Sequence, residues 1–214
     1  MSSHTEDRRF IVIEGPLGSG KTSLAKILAT KLGAKTVLEE ENPFFLPFFK
    51  DMEKHAFQAQ IFALLSRYQQ QKEVLQVDLF QRGVVSDYLF ASEHIFAELH
   101  LSQDEFVLYD KLLRAMDVQA PIPDLVVYLQ SQPDMLHERL QRSGYAYGNK
   151  VPSDYLEDLT RAYNQYFFHY SLSPLLVVNT ENVDFHRDER YVEALIKEMG
   201  QNIKGVHHFV PRES

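Results

Sequence analysis

The stretch GPLGSGKT at 15–22 constrains this chain more than any other, because it joins an apolar run at 10–13 to a segment of helical period at 21–32. A chain that leaves a buried strand, turns tightly and enters a helix gathers glycine backbone N–H groups around one point, where the positive end of the helix adds its own pull on an anion. Gly, four residues, Gly, Lys and a hydroxyl residue is the spacing of a phosphate-cradling loop. Gly15, Pro16, Leu17, Gly18, Ser19 and Gly20 make the cradle, Lys21 reaches the β- and γ-phosphates as a point charge, Thr22 offers its hydroxyl to Mg²⁺, and Ser23 continues the first helical turn. The loop reads as an ATP- or GTP-binding site, with the metal arriving on the nucleotide.

The rest of the chain agrees with that opening. Short apolar runs at 10–13, 35–38, 84–86, 125–129 and 175–178 lack the polar alternation of a half-exposed strand, so both of their faces are covered. Between them lie helical periods: Leu24, Ile27, Leu28 and Leu32 ahead of a terminating Gly33, then Phe57, Ile61, Leu64, Leu65 and Tyr68 within 57–75. Ser102 with Glu105 makes a capping box for a helix to about 116, and Pro133 suits the first turn of a helix carrying Leu136, Arg139, Leu140 and Arg142. Helices over 154–170 and 191–199 complete the set, and 143–152, with two glycines and no apolar period, is a loop between two helices. This alternation predicts one α/β domain over 1–214, a five-stranded parallel sheet flanked by helices. The tail from Gln201, with Ile203, Val206, Phe209 and Val210, either covers a sheet edge or joins a contact between copies.

Composition narrows the partners. With 22 Lys plus Arg against 30 Asp plus Glu the net charge is −8, and no basic run offers a face to a nucleic-acid backbone. There are no cysteines, hence no disulfide framework, thiolate metal site or Cys nucleophile. No apolar run approaches a membrane span, and the opening MSSHTEDRR has no apolar leader core, so the expectation is a cytoplasmic protein acting on a small molecule.

A phosphate cradle alone does not separate a kinase from a switch, and the acids must decide. Glu39, Glu40 and Glu41 follow the second strand at the sheet edge where doubly wound folds bind ligands, the position for a carboxylate that takes a hydroxyl proton; a solvated acidic turn is the alternative. Asp87 ends the third strand, placed either for the metal and a substrate hydroxyl or as a helix cap. Gln60 and Arg67 lie seven residues apart on one helix face, suited to reading a nucleobase or equally to a surface. Arg139 and Arg142, entering the glycine-containing loop, either swing onto a transferred phosphoryl group or complement the helix dipole.

Taken in order, IEGPLGSGKTSLA, EEENPFF, FQAQIFALLSRY, VVSDYLFASEHIFA and DLVVYLQSQPDMLHERLQR, followed by a lid loop and SDYLEDL, resemble the bacterial deoxynucleoside kinases of the deoxyadenosine and deoxyguanosine type. The resemblance implies a P-loop kinase fold, Mg²⁺-dependent transfer from ATP to the 5′-hydroxyl of a deoxynucleoside, purine favoured, and a homodimer packed through helices. It puts the general base on Glu39 or Glu40, the base-reading groups on Gln60, Arg67 and Glu93, and Asp87 before the substrate-side helix, with Phe96 on that side too. Phe49 stands where the family has a sugar-contacting tyrosine, and the lid reads Ser143, Gly144, Tyr145 and Gly148 where relatives carry two arginines and an acid. Lys150 is a poorer clamp than a guanidinium. Two other readings stand beside this one: a catalytically weak nucleotide-binding subunit, and a nucleoside monophosphate kinase of the thymidylate type, against which Tyr88 occupies an arginine's place.

Overall fold

The computed structural model describes residues 10–75, 83–116, 121–181, 183, 185 and 188–211; the first nine residues, read above for a leader, lie outside them. β1 (Phe10–Glu14), β2 (Lys35–Val37), β3 (Val84–Ser86), β4 (Leu125–Gln130), β5 (Leu175–Asn179) and β6 (Val206–Phe209) form one sheet in the order β2-β3-β1-β4-β5-β6. Every pairing is parallel, with Ile11 beside Val85 on one side and Leu125 on the other. The chain reverses direction of travel across the sheet between β3 and β4, so the carboxyl end of β1 opens onto the crevice where such sheets take ligands.

Alternation along the strands sorts the core into two layers. Ile11, Ile13, Leu125, Val127, Leu129, Leu176 and Val178 meet Leu24 and Leu28 of α1 (Lys21–Leu32) and Val192, Leu195 and Met199 of α8 (Glu189–Met199). Their neighbours Val12, Val126, Tyr128, Leu175 and Val177 face the opposite way, onto Leu136 and Leu140 of α6 (Pro133–Arg142) and Leu156, Leu159, Tyr163 and Phe167 of α7 (Ser153–Phe168). Covering both faces is what removes polar alternation from these strands. Phe48 of α2 (Phe45–Phe48), Ala56 and Ala59 of α3 (Met52–Leu75) and Ile95 of α4 (His94–His100) join this second layer, and α5 (Gln103–Ala115) packs on α3 and α4 through Tyr109 against Leu64 and Ala97.

The sheet has six strands rather than five. The sixth is an edge strand whose residues alternate between exposed and half-buried, so its segment, VHHF, carries polar residues and no continuous apolar run. Gly205, at φ 65°, turns the chain into it, and the tail therefore covers the edge of β5. Signals at element ends agree closely with the sequence: Gly33 adopts φ 64° and its N–H reaches the carbonyls of Ala29 and Thr30, while Ser102 and Glu105 form the reciprocal box at the head of α5. Leu65, expected on the apolar stripe of α3, is exposed.

Candidate active site

Gly15–Gly20 closes over the end of β1 as a turn, with the Ser19 N–H bonded to the Pro16 carbonyl at 3.0 Å. A Cβ at Gly15 would lie 2.6 Å from the Ser19 hydroxyl, and one at Gly18, which sits at φ 85°, 2.8 Å from the Leu136 carbonyl. Gly20 takes φ 89° as the cap of α1, a conformation glycine adopts without penalty. The Ser19 hydroxyl is buried with no protein partner among the described residues. Backbone this close, and an orphaned donor inside it, fit a nucleotide's phosphate groups.

The end of β3 turns back onto this loop. One carboxylate oxygen of Asp87 accepts from the Thr22 hydroxyl at 2.5 Å and the other from the Glu39 N–H at 2.7 Å, so a single buried acid ties the phosphate loop to the acidic turn after β2. It caps no helix near Tyr88, since the helical turn that follows, Phe90–Ser92, has Leu89 at its head. Thr22 and Asp87 present hard oxygens side by side, a donor set suited to Mg²⁺. Beneath them Glu14, which the sequence reading passed over, is buried at the end of β1 and accepts from the N–H groups of Gly15 (3.0 Å) and Leu89 (2.8 Å) and from the Ser92 hydroxyl (2.7 Å). Burial raises its carboxyl above the usual range despite the nearby Lys21 and Arg67 charges. Its sequence signal was a lone acid closing an otherwise apolar strand.

Of the three glutamates, Glu39 points inward. It pairs with Arg67 at 2.6 Å, whereas Glu40 accepts from the Ser66 hydroxyl at 2.7 Å and Glu41 is exposed. Burial pushes the Glu39 carboxyl up, but the charges of Arg67 and Lys21 outweigh it and hold the group below the usual carboxylate range. Arg67 also pairs with Glu93, whose second oxygen accepts from the Tyr109 hydroxyl at 2.9 Å, and its guanidinium lies 5.1 Å over the Tyr88 ring. Burial works against the Arg67 charge, yet Glu39 and Glu93 raise its pKa well above normal; Glu93, with burial stronger than its partners, moves up. Gln60 is buried on the same α3 face, and its amide is not hydrogen-bonded among the described residues. Tyr109 and Tyr88 were not singled out as site residues; only their contacts in the fold reveal them.

An aromatic wall bounds this space. Phe49 packs against Phe48 (5.0 Å between centroids), Tyr155 (5.5 Å) and Tyr147 (5.5 Å), and Phe96 meets Tyr163 edge-on at 6.1 Å. The two α6 arginines are engaged elsewhere. Arg139 donates to the carbonyls of Thr180 (2.8 Å) and Val183 (3.0 Å), strapping α6 to the turn after β5, and Arg142 sits at the surface against Glu138 at 3.2 Å. Lys150 is exposed. The structure thus gathers Lys21, Thr22, Asp87, Glu39, Arg67, Glu93 and Gln60 around one crevice, and leaves Glu40, Arg139 and Arg142 bonded outside that cluster.

A family model described as deoxynucleoside kinase matches residues 11–204. Among curated proteins, the chain is 28% identical over 210 residues to the deoxyadenosine/deoxycytidine kinase of Bacillus subtilis (strain 168), covering 94% of this chain and 95% of that one. It is 34% identical over 159 residues to the deoxyguanosine kinase of the same organism, 72% of this chain and 76% of the relative. Among solved structures, the deoxyadenosine kinase from M. mycoides with bound dATP superimposes with a TM-score of 0.76 at 23% identity, over 90% of this chain and 100% of that chain.

Proposed function

The chain belongs to the deoxynucleoside kinase family and is a kinase that phosphorylates deoxynucleosides; from that premise we propose that it uses ATP and Mg²⁺, takes the 5′-hydroxyl as acceptor and favours purines. The observation that carries this reading is the Asp87 bridge between Thr22 and the Glu39 backbone, which joins a phosphate loop to an inward acid at hydrogen-bond distance. Gly15–Gly20, Lys21, Thr22 and Ser23 hold the triphosphate, and Thr22 with Asp87 holds the metal. Bound Mg²⁺ supplies charge neutralisation at the transferred group.

In this reading Glu39 is the general base. The 5′-oxygen attacks the γ-phosphorus as its proton passes to the Glu39 carboxylate; the bond from that phosphorus to the β–γ bridging oxygen breaks, and ADP leaves with the electron pair. Glu39 suits the task because Arg67 and Lys21 keep it ionised. Lys21 and the loop N–H groups stabilise the charge gathered on the phosphoryl oxygens. Arg142 is the arginine free to join them, since a surface ion pair such as that with Glu138 costs about 0–1 kcal/mol to break. Arg139, bonded to two carbonyls, positions α6.

For the acceptor, the unbonded Gln60 amide and the Arg67–Glu93 pair offer both donors and acceptors to a base edge, with Phe49 and Phe96 as apolar walls. Purine preference is supported by the names of the relatives, deoxyadenosine/deoxycytidine and deoxyguanosine kinase. The exposed apolar Leu65 on α3 and Val107, Leu108 and Leu112 on α5 support a homodimer packed through those helices. Among the described residues no helix is long and apolar enough to cross a membrane.

An ATP-coupled assay over the four deoxynucleosides tests the proposal. It predicts 5′-monophosphate from deoxyadenosine or deoxyguanosine at higher kcat/KM than from thymidine. ATP binding without product from any of the four would favour the weak nucleotide-binding subunit instead.

A further inference from the structure

The lid between α6 and α7 holds no arginine, and its geometry gives it another use. Gly148 presses against α6 so closely that a Cβ there would lie 2.3 Å from the Leu140 carbonyl oxygen. No side chain fits at that point, and the chain is pinned beside α6. One residue earlier, Tyr147 turns its ring onto the wall of the crevice, edge-on to Phe45 at 5.6 Å and tilted over Phe49 at 5.5 Å, while Tyr145 stacks on its outer side at 5.2 Å and 8°. Phe45 and Phe49 bracket α2, directly after the Glu39–Glu41 turn. The ring is half-buried, yet its hydroxyl makes no hydrogen bond among the described residues.

That hydroxyl stays a donor. Burial, and then Tyr145, Glu39 and Glu41, push the phenol well above its ordinary value, so it carries its proton across the working pH range. The other lid side chains able to donate do not face the wall in this way: the Ser143 hydroxyl is spent on the Leu140 carbonyl at 2.6 Å, and Tyr145, Asn149 and Lys150 are exposed. A deoxynucleoside brings two sugar hydroxyls. With the 5′-hydroxyl assigned to Glu39, the 3′-hydroxyl is left to meet the aromatic wall, where Phe49 has nothing to offer it.

We propose that Tyr147 is a specificity-determining residue that receives the acceptor sugar, its hydroxyl bonding the 3′-hydroxyl when the lid is in place. This rests on the reading of the crevice as the deoxynucleoside site. It gives an arginine-poor lid a role in selecting the sugar.

The test is a cycle between residue and substrate: kcat/KM for a 2′-deoxynucleoside and for its 2′,3′-dideoxy analogue, in the wild type and in Tyr147→Phe. The variant keeps the ring and its packing. The expected result is a loss of about 3- to 10-fold for the deoxynucleoside, the cost of one neutral hydrogen bond, with no change for the dideoxy analogue and none in KM for ATP. An equal loss on both acceptors, or no loss on either, overturns the assignment of Tyr147 while leaving the kinase reading intact. A wild-type protein that phosphorylates no deoxynucleoside overturns both, and that result is visible before any variant is made.

Discussion

Asp87 shows how one side chain can hold a site together: its two oxygens reach Thr22 and the Glu39 backbone at once, so in the proposed mechanism the acid assigned to the metal also sets where the assigned base stands. Glu39→Gln keeps that backbone bond while removing the carboxylate that accepts the proton and carries the charge facing Arg67; kcat should fall by about 10²- to 10⁴-fold with ATP affinity unchanged, read by steady-state kinetics and calorimetry. Glu14 acts at one remove. Glu14→Ala orphans the Leu89 and Gly15 N–H groups, each worth about 1–3 kcal/mol when buried and unpaired, while the Ser92 hydroxyl keeps the Leu89 carbonyl, so chemical denaturation should show a large loss of stability. Lys21 and Thr22 were legible from a motif of fixed spacing, Asp87 from its place at a strand end, Gln60 and Arg67 from one helix face, and Glu93 through the family resemblance alone. Glu14, Tyr109 and Tyr147 escaped the sequence reading because their roles come from contacts between distant segments.

At the scale of elements, α4 carries a testable feature. His100, at its end, lies between the rings of Phe48 (5.0 Å) and Tyr155 (5.2 Å, stacked), and burial lowers its pKa to about 4 from an ordinary 6.5. The unfolded chain therefore binds a proton that the folded one refuses between those values, and stability present above about pH 6.5 is lost as pH falls toward 4. Melting temperature followed from pH 7 to 4.5 should show that decline, and His100→Phe, which suits the ring cluster, should flatten part of it. Strands β1, β3, β4 and β5 were legible almost to the residue because helices cover both of their faces. The edge strand β6 was hidden by His207 and His208, which an exposed face tolerates, and α2 by its length of four residues.

At the scale of the whole molecule, the proposed chemistry lies at the carboxyl ends of β1, β2 and β3, and the proposed dimer uses the exposed apolar residues of α3 and α5. Leu108→Glu with Leu112→Glu puts charge into that face at adjacent turns of α5; sedimentation should show a dimer in the wild type and a monomer in the double variant, whereas a monomeric wild type contradicts the proposed assembly. The α/β class with its parallel sheet was readable from the order of motifs, while the sixth strand was not. Which glutamate faces inward was not, since three successive acids differ only in what the fold sets opposite each: Arg67 for Glu39, Ser66 for Glu40, solvent for Glu41. The most direct measurement is a crystal structure with a deoxynucleoside and a nonhydrolysable ATP analogue. The Glu39 carboxylate should lie within about 2.6–3.2 Å of the 5′-hydroxyl, in line with the γ-phosphorus; a 5′-hydroxyl held by another group, with Glu39 turned away from it, would contradict the account.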